Sequence, residues 1–420
     1  MRLLFTVVCL LLFAMSDGIA GIDKSLDEQL NILAQGKIPE RLIPGAQYRV
    51  AVFSYNDPDD TGLGDTLAAI AAREVLTNSK VSSIGVIFFK GGVAPSGDSK
   101  LGYFDKVEKV TAAQDVKLAV WGIIRTVGDQ LEILTYAQVP RPALEQHFTW
   151  RLRMPEAMGG QSLLARLRPD RILVQRLLLD ADGVAALRRG ADAIARVRSA
   201  PRNEAPVKAT LPMDRVYYIV GRKNDWVHLQ AAGGVDGWAP VRGQCTGACG
   251  EFLQAATYAG GVLRYMADGE VPAARGRFTD EARAVADQLG ALGLLARGTL
   301  DDLHDLQRVI RPWLQRKAVP PGGAAFANIQ ALAELALALK EEYLSHAGHG
   351  TDAAEKDALY NQIQLSKRGA RDQAYALAKI SLSDPRNPDL LHNLAVLFAY
   401  AGDGERADLA RQLAETAITE

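Results

Sequence analysis

Three short segments in the middle of the chain decide how the rest of it is interpreted: YYIVG (217–221), DWVHL (225–229) and GVDGWAPV (234–241). β-branched and aromatic residues alternate there with Gly, Asn and Asp, which is typical of short strands joined by tight turns. The pattern before these segments is mixed α/β, and the pattern after them is almost purely helical. We therefore expect a small β module between an α/β domain and a helical domain.

The alternation and length of residues 195–243 favour a small β-barrel. Together with VRSAP (197–201), the three segments resemble the bacterial SH3-like domain. This resemblance implies aromatic side chains lining a groove for cell-wall peptides or Pro-containing segments. The alternative is that both tryptophans pack the interior of the barrel, and adjacent tyrosines on a strand point to opposite faces. The partner-binding candidates of this module are Tyr217, Tyr218, Trp226 and Trp238.

Residues 22–154 alternate between helix and strand patterns in the order α-β-α-β-α-β-β, which predicts a mixed sheet covered by helices. VAVF (50–53), TGLGD (61–65) and VKLAVWGIIR (116–125), followed by the hairpin GDQLEI (128–133), resemble the amino-terminal domain of TolB-type periplasmic proteins and of the FlgO-type flagellar outer-membrane family. The resemblance implies a non-enzymatic module of the cell envelope.

A linker with one helical segment is predicted for residues 155–194. Directly before it, residues 148–154 alternate like an edge strand, and we expect this strand to complete the first sheet. Arginines give residues 163–179 a basic face, which is interpreted as solvated surface or as a patch for anionic lipid or glycan phosphate.

Residues 251–420 show helical periodicity throughout, and their best-defined pair of helices lies at 388–418. PDLLHNLAVLF (388–398), followed by small residues at the positions where two helices approach closely, resembles a tetratricopeptide repeat. Such repeats imply a concave surface for peptides. Asn393 occupies a position where Asn can hold a peptide backbone, Asn361 is a poorer candidate, and capping or solvated surface is the alternative for Asn393.

The amino terminus predicts export to the periplasm. Arg2 precedes an apolar run from Leu3 to Met15, and small residues then allow cleavage after Ala20, so residues 1–20 are interpreted as a signal peptide. The alternative is an uncleaved anchor. An oxidising compartment favours a disulfide between Cys245 and Cys249, with free thiols or a metal site as the alternatives.

The sequence does not indicate a particular chemistry. A formal net charge of −1 argues against general nucleic-acid binding, which needs a basic excess. No metalloprotease, nucleophile-elbow or phosphate-loop motif is present, so we expect no cofactor and no metal. We expect a multidomain α+β protein acting as a non-catalytic periplasmic scaffold or adaptor for envelope proteins, with membranes reached only through partners. The alternatives are a peptidoglycan-binding factor acting through the SH3-like domain, and an unrecognised enzyme in the helical block.

Overall fold

The computed structural model describes residues 46–419, with its main gaps at 90–106, 154–161, 211–216, 241–246, 317–324, 338–367 and 376–386. The strands are β1 (Tyr48–Phe53), β2 (Ile84–Phe89), β3 (Leu118–Val127), β4 (Gln130–Gln138), β5 (Thr149–Arg153), β6 (Ser162–Arg166), β7 (Arg171–Leu179), β8 (Arg196–Arg198), β9 (Val207–Thr210), β10 (Tyr217–Lys223), β11 (Trp226–Ala231) and β12 (Val235–Pro240). The helices are α1 (Gly64–Asn78), α2 (Arg141–His147), α3 (Ala181–Ile194), α4 (Ala248–Asp268), α5 (Asp280–Arg297), α6 (Leu300–Leu314), α7 (Pro388–Tyr400) and α8 (Gly404–Thr419).

The chain forms two compact units. Unit 1 comprises Met1–Ala143 and Pro169–Ala282, and unit 2 comprises Leu144–Arg168 and Arg283–Glu420. These bounds differ from the predicted ones. Residues 144–154, which were predicted as the end of the first domain, belong to unit 2. Strand β7 and helix α3 lie in unit 1, although the sequence suggested a linker there. Helix α4 also lies in unit 1, although it was assigned to the helical domain.

A mixed sheet carries unit 1, as expected from the order of its elements. Strand β1 pairs in parallel with β2 and with β3, and β3 continues antiparallel into β4. The turn between β3 and β4 places Gly128 at a φ of 64°, a conformation that favours glycine. All six side chains of β1 are buried, and Leu67, Ile70 and Val75 of α1 are buried as well. The four predicted strands and the second predicted helix of this region are therefore confirmed, whereas the first helix and most of the third lie outside the described residues.

The strand that completes this sheet is β7 and not β5, so the expectation for residues 148–154 is wrong. Strand β7 pairs antiparallel with β4 through eight residue pairs, whereas β5 pairs with β6 in a separate two-stranded sheet. Alternation alone predicts a strand but does not identify its neighbour.

The SH3-like strands continue the same sheet. Its order is β7-β4-β3-β1-β2-β10-β11-β12-β8-β9, and the junction is an antiparallel pairing of Tyr217 with Val86 and of Tyr218 with Gly85. The prediction of a separate barrel is not confirmed, because among the described residues these five strands follow one another in an open ladder. The edge of β10 that faces away from β11 is occupied by β2.

Three further contacts hold unit 1 together. The buried side chain of Arg73 on α1 donates a hydrogen bond from Nη2 to the carbonyl oxygen of Pro240 on β12, at 2.8 Å. Burial lowers the pKa of Arg73 to about 10. The side-chain amide of Gln175 on β7 donates a hydrogen bond to the carbonyl oxygen of Glu251 on α4, at 2.8 Å. The ring centroids of Phe252 on α4 and Tyr55 lie 5.8 Å apart. Helix α4 therefore packs on the first sheet.

Unit 2 combines the β5–β6 hairpin with helices. Helices α7 and α8 form the predicted antiparallel pair, and its small residues Ala395, Ala407 and Ala414 are all buried. Gly402, at a φ of 83°, ends α7 and lets the chain reverse. The helical pair is confirmed. Its assignment to the tetratricopeptide family, like the TolB-type assignment of the first domain, stays a prediction.

Several predictions fall outside the described residues. The signal peptide, Asn361 and Cys245 are among them. Cys249 lies buried near the start of α4, and the disulfide stays a prediction. Among the residues that the structure describes, every helix is too short or too polar to span a bilayer.

Candidate binding site

Strands β11 and β12 have two distinct faces, as their alternating sequence requires. Val227, Leu229 and Ala239 are fully buried on one face. The residues between them on the other face, Trp226 and Trp238, are half-buried. The apolar positions therefore form the packed side of the module, and its aromatic positions are partly accessible.

The centre of the accessible face is a row that crosses four strands. Trp238 of β12 pairs with His228 of β11 on one side and with Arg198 of β8 on the other, and His228 in turn pairs with Gly221 of β10. Directly opposite residues in antiparallel strands share a face. Gly221 adds no side chain to this row.

The two rings of this row are stacked. The planes of His228 and Trp238 differ by 9°, and their centroids lie 4.7 Å apart. His228 Nε2 lies 2.8 Å from Oδ1 of Asp236, a carboxylate that is 50% exposed. This contact fixes the orientation of the imidazole, so the stack forms a rigid, partly exposed π surface.

A second row runs beside the first one. Trp226 pairs with Pro240 on β12 and with the exposed Lys223 on β10. Asn224, at a φ of 51°, begins the turn that joins β10 to β11. We call Trp226, His228 and Trp238, with Arg198 and Asp236 beside them, the aromatic face.

Charges of both signs border the aromatic face. Arg198 donates from Nη1 to the carbonyl oxygen of Ala205 at 2.7 Å, which holds its guanidinium near the row. Lys208 donates to the backbone oxygen of Asp236 at 3.2 Å. The face therefore offers stacking surfaces together with cationic and anionic groups, and it does not carry a field of a single sign.

Close backbone packing lies beneath the row. A Cβ atom added to Gly237 would lie 2.6 Å from the carbonyl oxygen of Arg198 and 2.6 Å from Cγ1 of Val197. Strands β12 and β8 can therefore approach each other only because residue 237 is glycine. This approach holds Arg198 beside Trp238.

The other predicted candidates differ in what the structure shows of them. Tyr217 and Tyr218 lie on β10 at its junction with β2, and their side chains are outside the described part of the chain. Trp226 and Trp238 lie in neighbouring rows of the aromatic face, and both are half-buried. The interpretation that both tryptophans fill a barrel interior is therefore not supported.

Asn393 does hold a peptide backbone, but it is the backbone of the same chain. Its Oδ1 accepts from the backbone N–H of Leu164 on β6 at 2.7 Å, and its Nδ2 donates to the carbonyl oxygen of Leu164 at 2.6 Å. Asn328 donates to the same oxygen at 2.9 Å and accepts from Nδ2 of Asn393 at 2.7 Å. Asn393 is fully buried. We call Asn393 and Asn328 the asparagine clamp.

Two more contacts extend the asparagine clamp along β6. His392 Nε2 lies 2.9 Å from the carbonyl oxygen of Ser162, and Arg166 forms an ion pair with Asp389 at 3.5 Å. The polar groups of α7 that could read an extended peptide are therefore engaged by the β5–β6 hairpin.

Within the described residues, no group of three or more His, Cys, Asp or Glu side chains is arranged to hold a metal ion. The buried carboxylate of Glu132 lies between Arg125 and Arg176 and forms ion pairs with both. These ion pairs link the adjacent strands β3, β4 and β7 and therefore stabilise the sheet.

Comparison with known proteins identifies one family. Residues 191–242 match the bacterial SH3 domain. The match covers the four strands β8 and β10–β12 that build the aromatic face, and also β9. No curated protein and no solved structure matches the chain.

Sequence reasoning found the two tryptophans of the aromatic face but missed His228 and Arg198. The register could have indicated His228, because it lies two residues after Trp226 and therefore on the same face. Nothing in the sequence indicates that Arg198 lies next to Trp238, because that contact depends on how β8 pairs with β12.

Proposed function

We propose that this protein is a non-catalytic adaptor of the bacterial cell envelope, and that its aromatic face binds a peptide of the cell wall. The observation that carries the proposal is the stacked pair of His228 and Trp238 on the accessible side of a bacterial SH3 domain. Rigid aromatic rings bind planar peptide groups at a low cost in conformational entropy.

The charges around the pair support a peptide of mixed charge. Wall peptides carry free carboxylates and, in many bacteria, free amines. Arg198 and Lys223 suit the carboxylates, and Asp236 and Asp225 suit an amine. Because the aromatic face belongs to the continuous sheet, the ligand would meet a preorganised surface, which lowers the ordering cost of binding.

Retention on purified murein sacculi tests this proposal. We expect the native chain to be retained, and Trp238→Leu to weaken retention by about fivefold, since one aromatic contact is worth about 1 kcal/mol. The matched control is Trp150→Leu, which makes the same change at a half-buried tryptophan of β5, outside the SH3-like module. Both variants are first compared with the native chain in urea unfolding.

Two outcomes would contradict the proposal. Equal retention of the native and Trp238→Leu chains would remove the aromatic face as the binding site. No retention of the native chain would remove the cell wall as the ligand, and cross-linking in intact cells would then identify a protein partner of the SH3-like domain.

A further inference from the structure

A cleft in unit 2 is lined by basic and amide side chains, together with one leucine. It has a volume of about 590 Å³, within the range of ligand pockets. Among its described lining residues, all but one come from one face of α6 and from Gln315, which caps the end of that helix, and Gln330 comes from the helical stretch 325–333. The first group follows the three- and four-residue spacing of a single helix face: His304, Gln307, Arg308, Arg311, Leu314 and Gln315.

Among the residues that the structure describes, no carboxylate lines this cleft. Two arginines and a histidine project into it, together with three side-chain amides. Arg308 pairs with Asp305, which lies outside the lining. The guanidinium of Arg311 is exposed and has no side-chain partner among the residues that the structure describes. The described lining is therefore cationic, and Arg311 can donate hydrogen bonds to a ligand there.

Stabilisation of helix α6 does not account for every basic side chain in the cleft. A cation in the last turn stabilises a helix through its dipole, and this explains Arg311. That effect fades within one turn, so it does not explain His304, whereas Arg308 also stabilises α6 through its pair with Asp305. Leu314 adds an apolar surface that is 38% exposed at the end of the cleft.

We infer that this cleft binds an acidic peptide segment of a partner protein. His304 and Arg308 are four residues apart on α6, about 6 Å along the axis, close to the roughly 7 Å between alternate residues of an extended peptide. Two acidic residues at alternate positions match this spacing, with an apolar residue next to them on Leu314. The glutamine amides both donate and accept, which suits a peptide backbone.

Fluorescence anisotropy with the full chain tests the assignment. The probe is a labelled peptide GLESEG, and its uncharged analogue GLQSQG is the ligand control. We expect the acidic peptide to bind at least tenfold more tightly than the analogue, and its affinity to fall as salt is raised. The double variant Arg308→Gln/Arg311→Gln should weaken binding by tenfold or more.

The matched control is Arg189→Gln/Arg202→Gln. It removes the same charge from two exposed arginines of unit 1 and should change the affinity by less than twofold. Urea unfolding of both double variants shows whether each has kept its fold.

Equal binding of the two peptides, or unchanged binding by Arg308→Gln/Arg311→Gln, would overturn the inference. So would binding of dextran sulfate at this cleft without binding of GLESEG, because a polyanionic glycan would then be the ligand class. Failure at this cleft leaves wall binding by the aromatic face unaffected, so the two proposals are tested separately.

Discussion

The aromatic face of unit 1 and the asparagine clamp of unit 2 are both peptide-binding arrangements, but only one of them is open to a partner. At the clamp, the Asn393 amide bonds to Leu164 and Asn328 and is fully buried. At the aromatic face, His228 and Trp238 stack on each other and remain partly accessible. A side chain suited to peptide binding is thus available to a ligand only when other residues of the same chain do not already cover it.

This difference predicts different responses to substitution. The clamp should matter for stability, because buried polar groups without partners are costly. Substitution of the charged residues that border the aromatic face should change stability little, because water replaces the exposed hydrogen bonds that are lost.

Asn393→Ala should lower the free energy of unfolding by about 3 kcal/mol, because it leaves the Leu164 N–H and the Asn328 Oδ1 without this partner. Urea unfolding followed by the fluorescence of Trp150 and Trp313, both in unit 2, measures the loss. Gln412→Ala, on the exposed side of α8, is the control and should change little. A loss below about 0.5 kcal/mol for Asn393→Ala would show that the clamp is not a structural element.

Gly237→Ala should lower stability by about 2 kcal/mol, since its methyl group would overlap the Arg198 carbonyl oxygen and separate β12 from β8. Thermal unfolding measures this change. Gly293→Ala is the matched substitution in helix α5, where an added Cβ meets nothing within 4 Å. That control should be neutral or stabilising, because Ala favours helix over Gly. Equal effects at the two positions would refute the close approach of β12 and β8.

Arg73→Met should cost about 1.5 kcal/mol, because the carbonyl oxygen of Pro240 loses a charged donor. Hydrogen exchange of the β11 and β12 amides measures the loosening locally. Arg189→Met, at an exposed position of α3, provides the comparison. If β11 and β12 exchange at the native rate in Arg73→Met, the tie between α1 and the SH3-like strands contributes nothing to their stability.

Asp236→Asn should cost no more than about 0.5 kcal/mol, because its pair with His228 is solvent-exposed. The urea midpoint measures the change, with Asp225→Asn in the neighbouring turn as the control. A loss above about 1 kcal/mol would mean that the aromatic face resembles the clamp, and the contrast between the two regions would fail.

The sequence predicts local structure well where its pattern is strong. The strands β1 to β4, helix α1 and the α7–α8 pair follow from periodicity and turn residues, and the two tryptophans of the aromatic face were named as candidates. These features depend on neighbours within about a dozen residues, which a pattern can reveal.

The remaining features depend on which distant segments meet. The junction of β2 and β10 is formed by backbone hydrogen bonds, which carry no side-chain signature. The bonds between Asn393 and Leu164 join residues that are 229 positions apart. The sequence indicated a peptide-holding asparagine, but it could not indicate that strand β6 of the same chain is the peptide.

The junction of β2 and β10 also bears on aggregation. Two separate sheets would expose four edge strands, and each unpaired edge can template the addition of another chain. Joined through β2 and β10, the described strands of this sheet have β7 and β9 as their two edges. Strand β9 is four residues long and carries Lys208, while Thr279 donates from its backbone N–H to Val174 and so covers part of β7. Merging the sheets therefore removes two sites of self-association, and the two edges that remain are protected.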